Sequence, residues 1–265
     1  MASNQDKIYL QYGDGTAEDS RATRSRTSWL EFHYTKKHLS EFIHADSRVL
    51  EVGCAAGYYA LHFADKCREY VGIDLVPAHI AVFQRKIDER KLTNLSCHVG
   101  DATHLDEFAD GSVDAVLCLG PMYHLPPEER ERAFAECTRV CKQGGVVAFS
   151  YINKVGVYAG ACVLDGAPRE IYPNEQTNDY LLRQGTDDLK PGLFYFTMPE
   201  QMEEVAARHG LVKLKNRGTD FMFTMSVVDQ MSDEKFAVFM ELADEMVRYE
   251  SCTGMANHAL LICRK

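Results

Sequence analysis

The chain has 265 residues, 46% of them hydrophobic, enough to bury one sizeable core in one domain or two and too many for general disorder. A formal net charge of −10 weakens non-specific attraction to nucleic acid and favours small-molecule chemistry. The polar start MASNQDKIYLQYGDG lacks a basic region leading into an apolar run, no later apolar run approaches the roughly 20 residues of a membrane span, and the nine cysteines form no C-x-x-C pair, so a soluble, cytoplasmic protein with reduced, mostly buried thiols is expected.

In chain order, Met1 to Asp46 begins polar and tyrosine-rich and then predicts a helix over Ser28 to Ile43, with Trp29, Phe32 and Leu39 at apolar positions. From Arg48 to Asn153 short apolar, β-branched runs alternate with segments of helical spacing. Strands are predicted at Arg48–Val52, Glu69–Leu75, Leu95–Val99, Val113–Leu119 and Gly145–Tyr151, and helices near Gly57–Lys66, Pro77–Lys91 and Pro126–Lys142. Each crossover is long enough to hold a helix, so the pattern predicts a doubly wound, Rossmann-like α/β core with a mostly parallel sheet. Lys154 to Thr197 is rich in Gly, Pro, Asn and Tyr, too long for a simple connection, and reads as a lid or substrate-binding insertion. A helix at Pro199–His209, a strand near Leu211–Arg217, a helix at Asp233–Tyr249 and a strand at His258–Cys263 complete the chain. The expected layout is one domain over 1–265, with a cap at 1–46, a cofactor-binding core at 48–153, the insertion at 154–197 and the C-terminal part of the sheet at 198–265.

Ligands of such sheets bind beyond the carboxyl ends of the strands, so the residues after each strand carry the functional information. After the first strand comes Glu51-Val52-Gly53-Cys54-Ala55-Ala56-Gly57-Tyr58. A dinucleotide fingerprint wants G-x-G-x-x-G, but here the middle glycine is Ala55 and the third is Tyr58. Glu51 at the loop entrance repels a pyrophosphate and suits a ligand with ammonium or sulfonium charge. Asp74 closes the second strand, 23 positions after Glu51, near the roughly 20-residue offset at which an acidic residue meets ribose hydroxyls. After the third strand Asp101 offers an acceptor for an exocyclic amine, while Leu75 and Ala102 offer apolar contact to a purine. After the fourth, Leu119-Gly120-Pro121-Met122-Tyr123-His124 breaks so as to turn Tyr123 and His124 into the cleft.

The ordered elements EVGCAAG, VGID, GDA, DAVLCLGPMYHL and GGVVAF resemble the class I S-adenosylmethionine-dependent methyltransferases over about 105 residues. The resemblance implies a seven-stranded sheet with an antiparallel last strand and S-adenosylmethionine as cofactor. It also implies that Glu51, Gly53 and Ala55, with Cys54 and Gly57 in the same loop, line the methionine part. Asp74 would hold the ribose, Asp101 and Ala102 meet adenine, and Leu119 closes the pocket. Ala55 stands where many members have a second glycine, a change that is tolerable if its φ is negative.

The leading expectation is methyl transfer to a small-molecule acceptor by direct displacement, with His124 as the base and Tyr123 beside it. The alternatives are a methyltransferase acting on RNA, DNA or protein, or a binding module without turnover. For His124 itself the alternative is an anchor of its turn through backbone hydrogen bonds. Cys137 and Cys141 are expected to fill the inner face of a helix, Cys54 and Cys118 to pack as small apolar groups, and His98, His104 and His124 show no metal-ligand spacing, so no catalytic metal is expected. The Thr23-Arg24-Ser25-Arg26 run reads as a solvated approach to a helix, or as a source of an arginine for a cofactor or substrate carboxylate.

Overall fold

A computed structural model describes residues 3–15, 18–157, 175, 193–221 and 225–265. Seven strands form one sheet: β1 (Arg48–Val52), β2 (Glu69–Asp74), β3 (Leu95–Val99), β4 (Val113–Cys118), β5 (Cys141–Ile152), β6 (Val212–Gly218) and β7 (His258–Arg264). Their order is β3-β2-β1-β4-β5-β7-β6, with β7 antiparallel to both neighbours and the remaining pairs parallel. This is the doubly wound, seven-stranded sheet with an antiparallel last strand that the sequence predicts. The chain reverses its direction of travel between β1 and β4, so the crevice where ligands bind opens beyond those two strands.

The central strands are apolar almost without interruption because both faces are covered. On one face Leu50, Val52, Val116 and Cys118 pack with Phe134 of α5 (Pro127–Val140), whose ring lies 3.9 Å from that of Phe149. Cys137 joins this cluster from the inner face of α5, as the sequence predicts, but the helix ends at Val140 and Cys141 joins it as the first residue of β5. On the other face Val49, Ala115 and Leu117 pack with Phe63 of α3 (Tyr58–Phe63), Phe83 of α4 (Pro77–Arg90) and Leu39 of α2 (Arg26–Leu39). Pro at the first helical position starts α4, α5 and α6 (Pro199–Arg208), where the missing N–H costs nothing. A separate cluster joins Leu30 and Tyr34 of α2 to Phe239 and Ala243 of α7 (Asp233–Met246), so the cap is fastened to the C-terminal part of the chain.

Helix α2 begins two residues before its predicted start because Ser25 caps it, its hydroxyl accepting from the Ser28 N–H at 3.0 Å. The polar N-terminal stretch contains a helix that periodicity did not predict, α1 (Asn4–Tyr12), begun by a capping box between Ser3 and Asp6. Of the expected insertion, residues 158–174 and 176–192 lie outside the described residues. Its C-terminal end returns to the carboxyl ends of β5 and β4, where the Thr197 N–H donates to the Ile152 carbonyl at 2.9 Å and the Tyr195 N–H to the Tyr123 carbonyl at 2.8 Å. Among the described residues no helix is long and apolar enough to cross a membrane.

Candidate active site

The ends of β1, β2, β3 and β4 open into one cleft of about 1050 Å³. Glu51, Gly53, Cys54, Ala55, Asp74, Leu75, Asp101, Ala102, Leu119, Tyr123 and His124 all line it, as the sequence places them, while Gly57 lies just behind as the residue preceding α3.

The first loop is shaped by close approach. Gly53 has φ +78°, and a Cβ there would stand 2.6 Å from Cδ of Pro121; Gly57 has φ +79°, and a Cβ there would meet the Phe83 ring at 2.1 Å. The N–H groups of Gly53 and Cys54 both donate to the Ile73 carbonyl, at 2.8 and 3.0 Å, which ties the β1 turn to β2. Ala55 departs from expectation: its φ is +45°, in the left-handed region, not negative. The carboxylate of Asp74 holds it there by accepting the Ala55 N–H at 2.9 Å. The left-handed cost of about 1–2 kcal/mol for a residue with a Cβ exceeds the roughly 0.5–1 kcal/mol that glycine's freedom in the unfolded chain takes back. Ala55→Gly should therefore raise stability by about 0.5–1 kcal/mol, read as a higher midpoint in urea denaturation.

Asp74 is 8% exposed, and its other oxygen accepts the Val76 N–H at 2.9 Å and the His79 Nδ1–H at 3.1 Å. His79 also lines the cleft, and its buried Nε2 has no hydrogen-bond partner among the described residues. Glu51 is 1% exposed and accepts from the Tyr70 hydroxyl at 2.7 Å. Burial raises its pKa from 4.5 to about 8; the Tyr70 bond opposes that rise and the Asp74 charge adds to it. Asp101 folds its own turn, with Oδ1 accepting the Thr103 N–H and hydroxyl, both at 2.8 Å. Cys54 and Cys118 are buried at 3% and 0%, and burial first, then neighbouring groups, raises both thiol pKa values, so they pack as small apolar groups.

The turn after β4 is a short 3₁₀ segment, Pro121–Tyr123, which seats His124 at 9% exposure. A carbonyl can only accept, so Nδ1–H of His124 donates to the Leu193 carbonyl at 3.1 Å, and Nε2 is left to accept from the Tyr12 hydroxyl at 3.2 Å. The His124 carbonyl in turn accepts from the Asn4 side chain at 2.8 Å. Burial lowers the His124 pKa to about 4, the Leu193 bond and Asp74 opposing and Arg21 reinforcing, so the ring is neutral at pH 7.

Helix α1 and the segment after it roof the cleft. Asp19 pairs with Lys86 of α4, and Gly15 packs on Ala78. Tyr12, Glu18, Arg21, Glu31 and Phe32 line the roofed side, and sequence reasoning singled out none of them as site residues. Arg21 donates to Glu31 Oε2 at 2.7 Å and stands 3.6 Å from Glu18; the Glu31 charge foremost raises its pKa against the cost of burial. Behind Glu31, His258 Nδ1 lies 3.8 Å from Oε2 and donates to Asp220 Oδ2 at 2.7 Å. Burial acts to lower the His258 pKa, but the Glu31 and Asp220 carboxylates outweigh it and the net shift is upward. The Thr23–Arg26 run behaves otherwise: Arg24 is exposed, and Arg26 ties α2 to the Met231 carbonyl and Asp233. The arginine of the cleft is Arg21, and its recorded partners are Glu31 and Glu18.

Residues 49–145 match the family model of a methyltransferase domain. A ubiquinone biosynthesis O-methyltransferase from Acinetobacter baumannii is 32% identical over 111 residues, 42% of this chain and 46% of that protein. The uncharacterized methyltransferase YcgJ of Bacillus subtilis is 32% identical over 101 residues, 38% of this chain and 39% of that protein. The chain thus spans less than half the length of these curated relatives. Among solved structures, phosphoethanolamine N-methyltransferase 2 from Haemonchus contortus, in complex with S-adenosyl-L-methionine, aligns with a TM-score of 0.65 at 16% identity, covering 100% of this chain and 60% of that one. A putative methyltransferase from Haloferax volcanii, in complex with the Trm112 methyltransferase activator, aligns with a TM-score of 0.63 at 16% identity over 99% and 97% of the two chains. These structural likenesses bear on the fold.

Proposed function

We propose that this chain, which carries a class I S-adenosylmethionine-dependent methyltransferase domain, transfers a methyl group to a small-molecule acceptor by direct displacement. One observation carries the reading: the carboxyl ends of β1 and β2 and the turn after β3 bring the acidic side chains Glu51, Asp74 and Asp101 to a single cleft whose β1 loop breaks the pyrophosphate fingerprint. The donor set suits a cofactor with a cationic sulfur, an ammonium, a ribose and an adenine. Bound S-adenosylmethionine supplies an electrophilic methyl group.

In this reading Glu51 and the Gly53-Cys54-Ala55 backbone, backed by Gly57, receive the methionine part. Asp74 accepts from ribose hydroxyls, Asp101 takes the adenine amine, and Leu75, Ala102 and Leu119 give the base and its neighbours apolar walls. Residues 1–46 act as the cap that excludes water, 48–153 as the cofactor-binding core and 198–265 as the part that completes the sheet. The free thiols suit a cytoplasmic setting. Calorimetric titration is expected to show tight binding of S-adenosylmethionine and of S-adenosylhomocysteine and negligible heat with NAD. The reverse order of affinities would sink the reading.

We further assign His124 to positioning. Its neutral ring spends Nδ1–H on Leu193 and Nε2 on Tyr12, which leaves no lone pair for an acceptor's proton and fixes the cap over the cleft. His124→Ala should lower turnover by less than about tenfold and leave the pH–rate profile between 6 and 9 unchanged in shape. A loss of about 10²–10⁴-fold, the range for a positioned acid or base, would restore it as the base.

A further inference from the structure

The roofed side of the cleft, left for the acceptor in the proposed function, takes Tyr12, Glu18, Arg21, Glu31 and Phe32 from outside residues 49–145 that match the methyltransferase family. Its walls are aromatic: Tyr12, Phe32, Tyr58, Tyr59 and Tyr123 line it, with the Phe32 ring 4.4 Å from Tyr58 and 5.1 Å from Tyr59. Its charges are unbalanced. Glu18 and Glu31 share the Arg21 guanidinium, the one Lys or Arg among the described residues lining the cleft, and Asp74 and Asp101 add two further carboxylates. A carboxylate or phosphate on the acceptor would meet an arginine already engaged and a surplus of like charge. A cation would meet carboxylates and ring faces, the two surfaces that attract it. Two cations of the protein show the rings in that role: Arg21 lies 5.5 Å from the Phe32 centroid and Lys36 lies 4.8 Å from that of Tyr58.

We infer that the acceptor is a small amine, bound as its ammonium form between these rings and Glu31. This rests on the methyltransferase reading. The ammonium gives a proton to the Glu31 carboxylate, which Arg21 holds and His258 backs. The freed nitrogen lone pair then forms the N–C bond as the C–S bond breaks, the C–S pair remains on sulfur, and the product leaves as an N-methylated ammonium.

The test uses the full chain saturated with S-adenosylhomocysteine and three probes on one frame: phenethylamine, 2-phenylethanol and phenylacetate. Phenethylamine is expected to bind at least tenfold more tightly than the other two by calorimetry. In wild-type protein, phenethylamine is also expected to be the probe that gains one methyl group by mass spectrometry when S-adenosylmethionine replaces the product. Glu31→Gln should weaken the amine about tenfold and leave S-adenosylhomocysteine affinity unchanged. Should that variant not fold, Glu18→Gln is expected to give a smaller loss of the same sign. Equal binding of the three probes, preference for the alcohol or the acid, or no binding of the amine by a protein that does bind S-adenosylhomocysteine overturns the inference and leaves the methyltransferase reading standing. Failure of S-adenosylhomocysteine itself to bind overturns both.

Discussion

Replacing Asp74 with alanine is expected to weaken S-adenosylmethionine by about 3 kcal/mol, roughly a hundredfold, at the upper end of the scale for hydrogen bonds to a charged group. The upper end is expected because the carboxylate does two things at once. One oxygen fixes the Ala55 N–H of the β1 loop, and the other fixes the Val76 N–H and His79 at the head of α4. Alanine at this position removes the proposed ribose acceptor and also frees the two backbone segments that shape the cleft. Asp74→Asn, which retains one acceptor oxygen, should fall between wild type and Asp74→Ala. Titration calorimetry on folded variants reads all three, and an unchanged dissociation constant in Asp74→Ala would remove this residue from the site.

The second large effect is a pH dependence of cofactor binding carried by Glu51. With its pKa raised from 4.5 to about 8, chiefly by burial, Glu51 keeps its proton at neutral pH in the unliganded protein. The sign for stability follows from linkage: the contribution of this group is fully present below pH 4.5 and is lost as pH rises through about 8, because the unfolded chain ionises first. Glu51→Gln keeps the shape and cannot ionise, so its melting temperature should exceed that of wild type at pH 9 and approach it at pH 4.5. An incoming ammonium favours the ionised carboxylate, so binding releases a proton. Wild-type affinity for S-adenosylhomocysteine should then rise by up to about tenfold per pH unit between 5.5 and 7.5, and Glu51→Gln should be weaker at the upper end and flat across the window. A wild-type curve as flat as the variant's would show that Glu51 does not change protonation on binding.

The strands and the residues after them were legible because the parallel sheet leaves a signature of its own: unbroken β-branched runs, each ending where the chain turns toward the ligand. Asp74 and Asp101 stand where that logic puts them. The roof of the cleft was not legible. The α1 stretch NQDKIYLQY has no apolar stripe, and its place depends on contacts with His124 more than a hundred positions away; only the Ser3-to-Asp6 spacing marked a helix start. Arg21 and Glu31 lie ten positions apart on separate elements, and nothing local in either reports the pair. His79 falls in the first turn of α4 and reads as an ordinary helical residue until Asp74 is seen beside it. The backbone at Ala55 misled for a different reason: an alanine favours negative φ, and here the Asp74 bond and the turn around it overrule the side chain.

The sheet order also dictates when the protein becomes whole during synthesis. Strand β6 is made before β7, yet β7 is its neighbour in the sheet and lies between it and β5. Until His258–Arg264 has emerged from the ribosome, β6 has no strand to bond and the outer edge of β5 stays open, a row of unpaired backbone groups that invites association with other chains. The four strand ends proposed to form the cofactor half are all translated by residue 118, and β5, the further partner of β4, by residue 152. A nascent chain stalled between residues 220 and 257 would thus display a nearly finished ligand cleft joined to an adhesive sheet edge, and an early-bound cofactor would steady the first without covering the second.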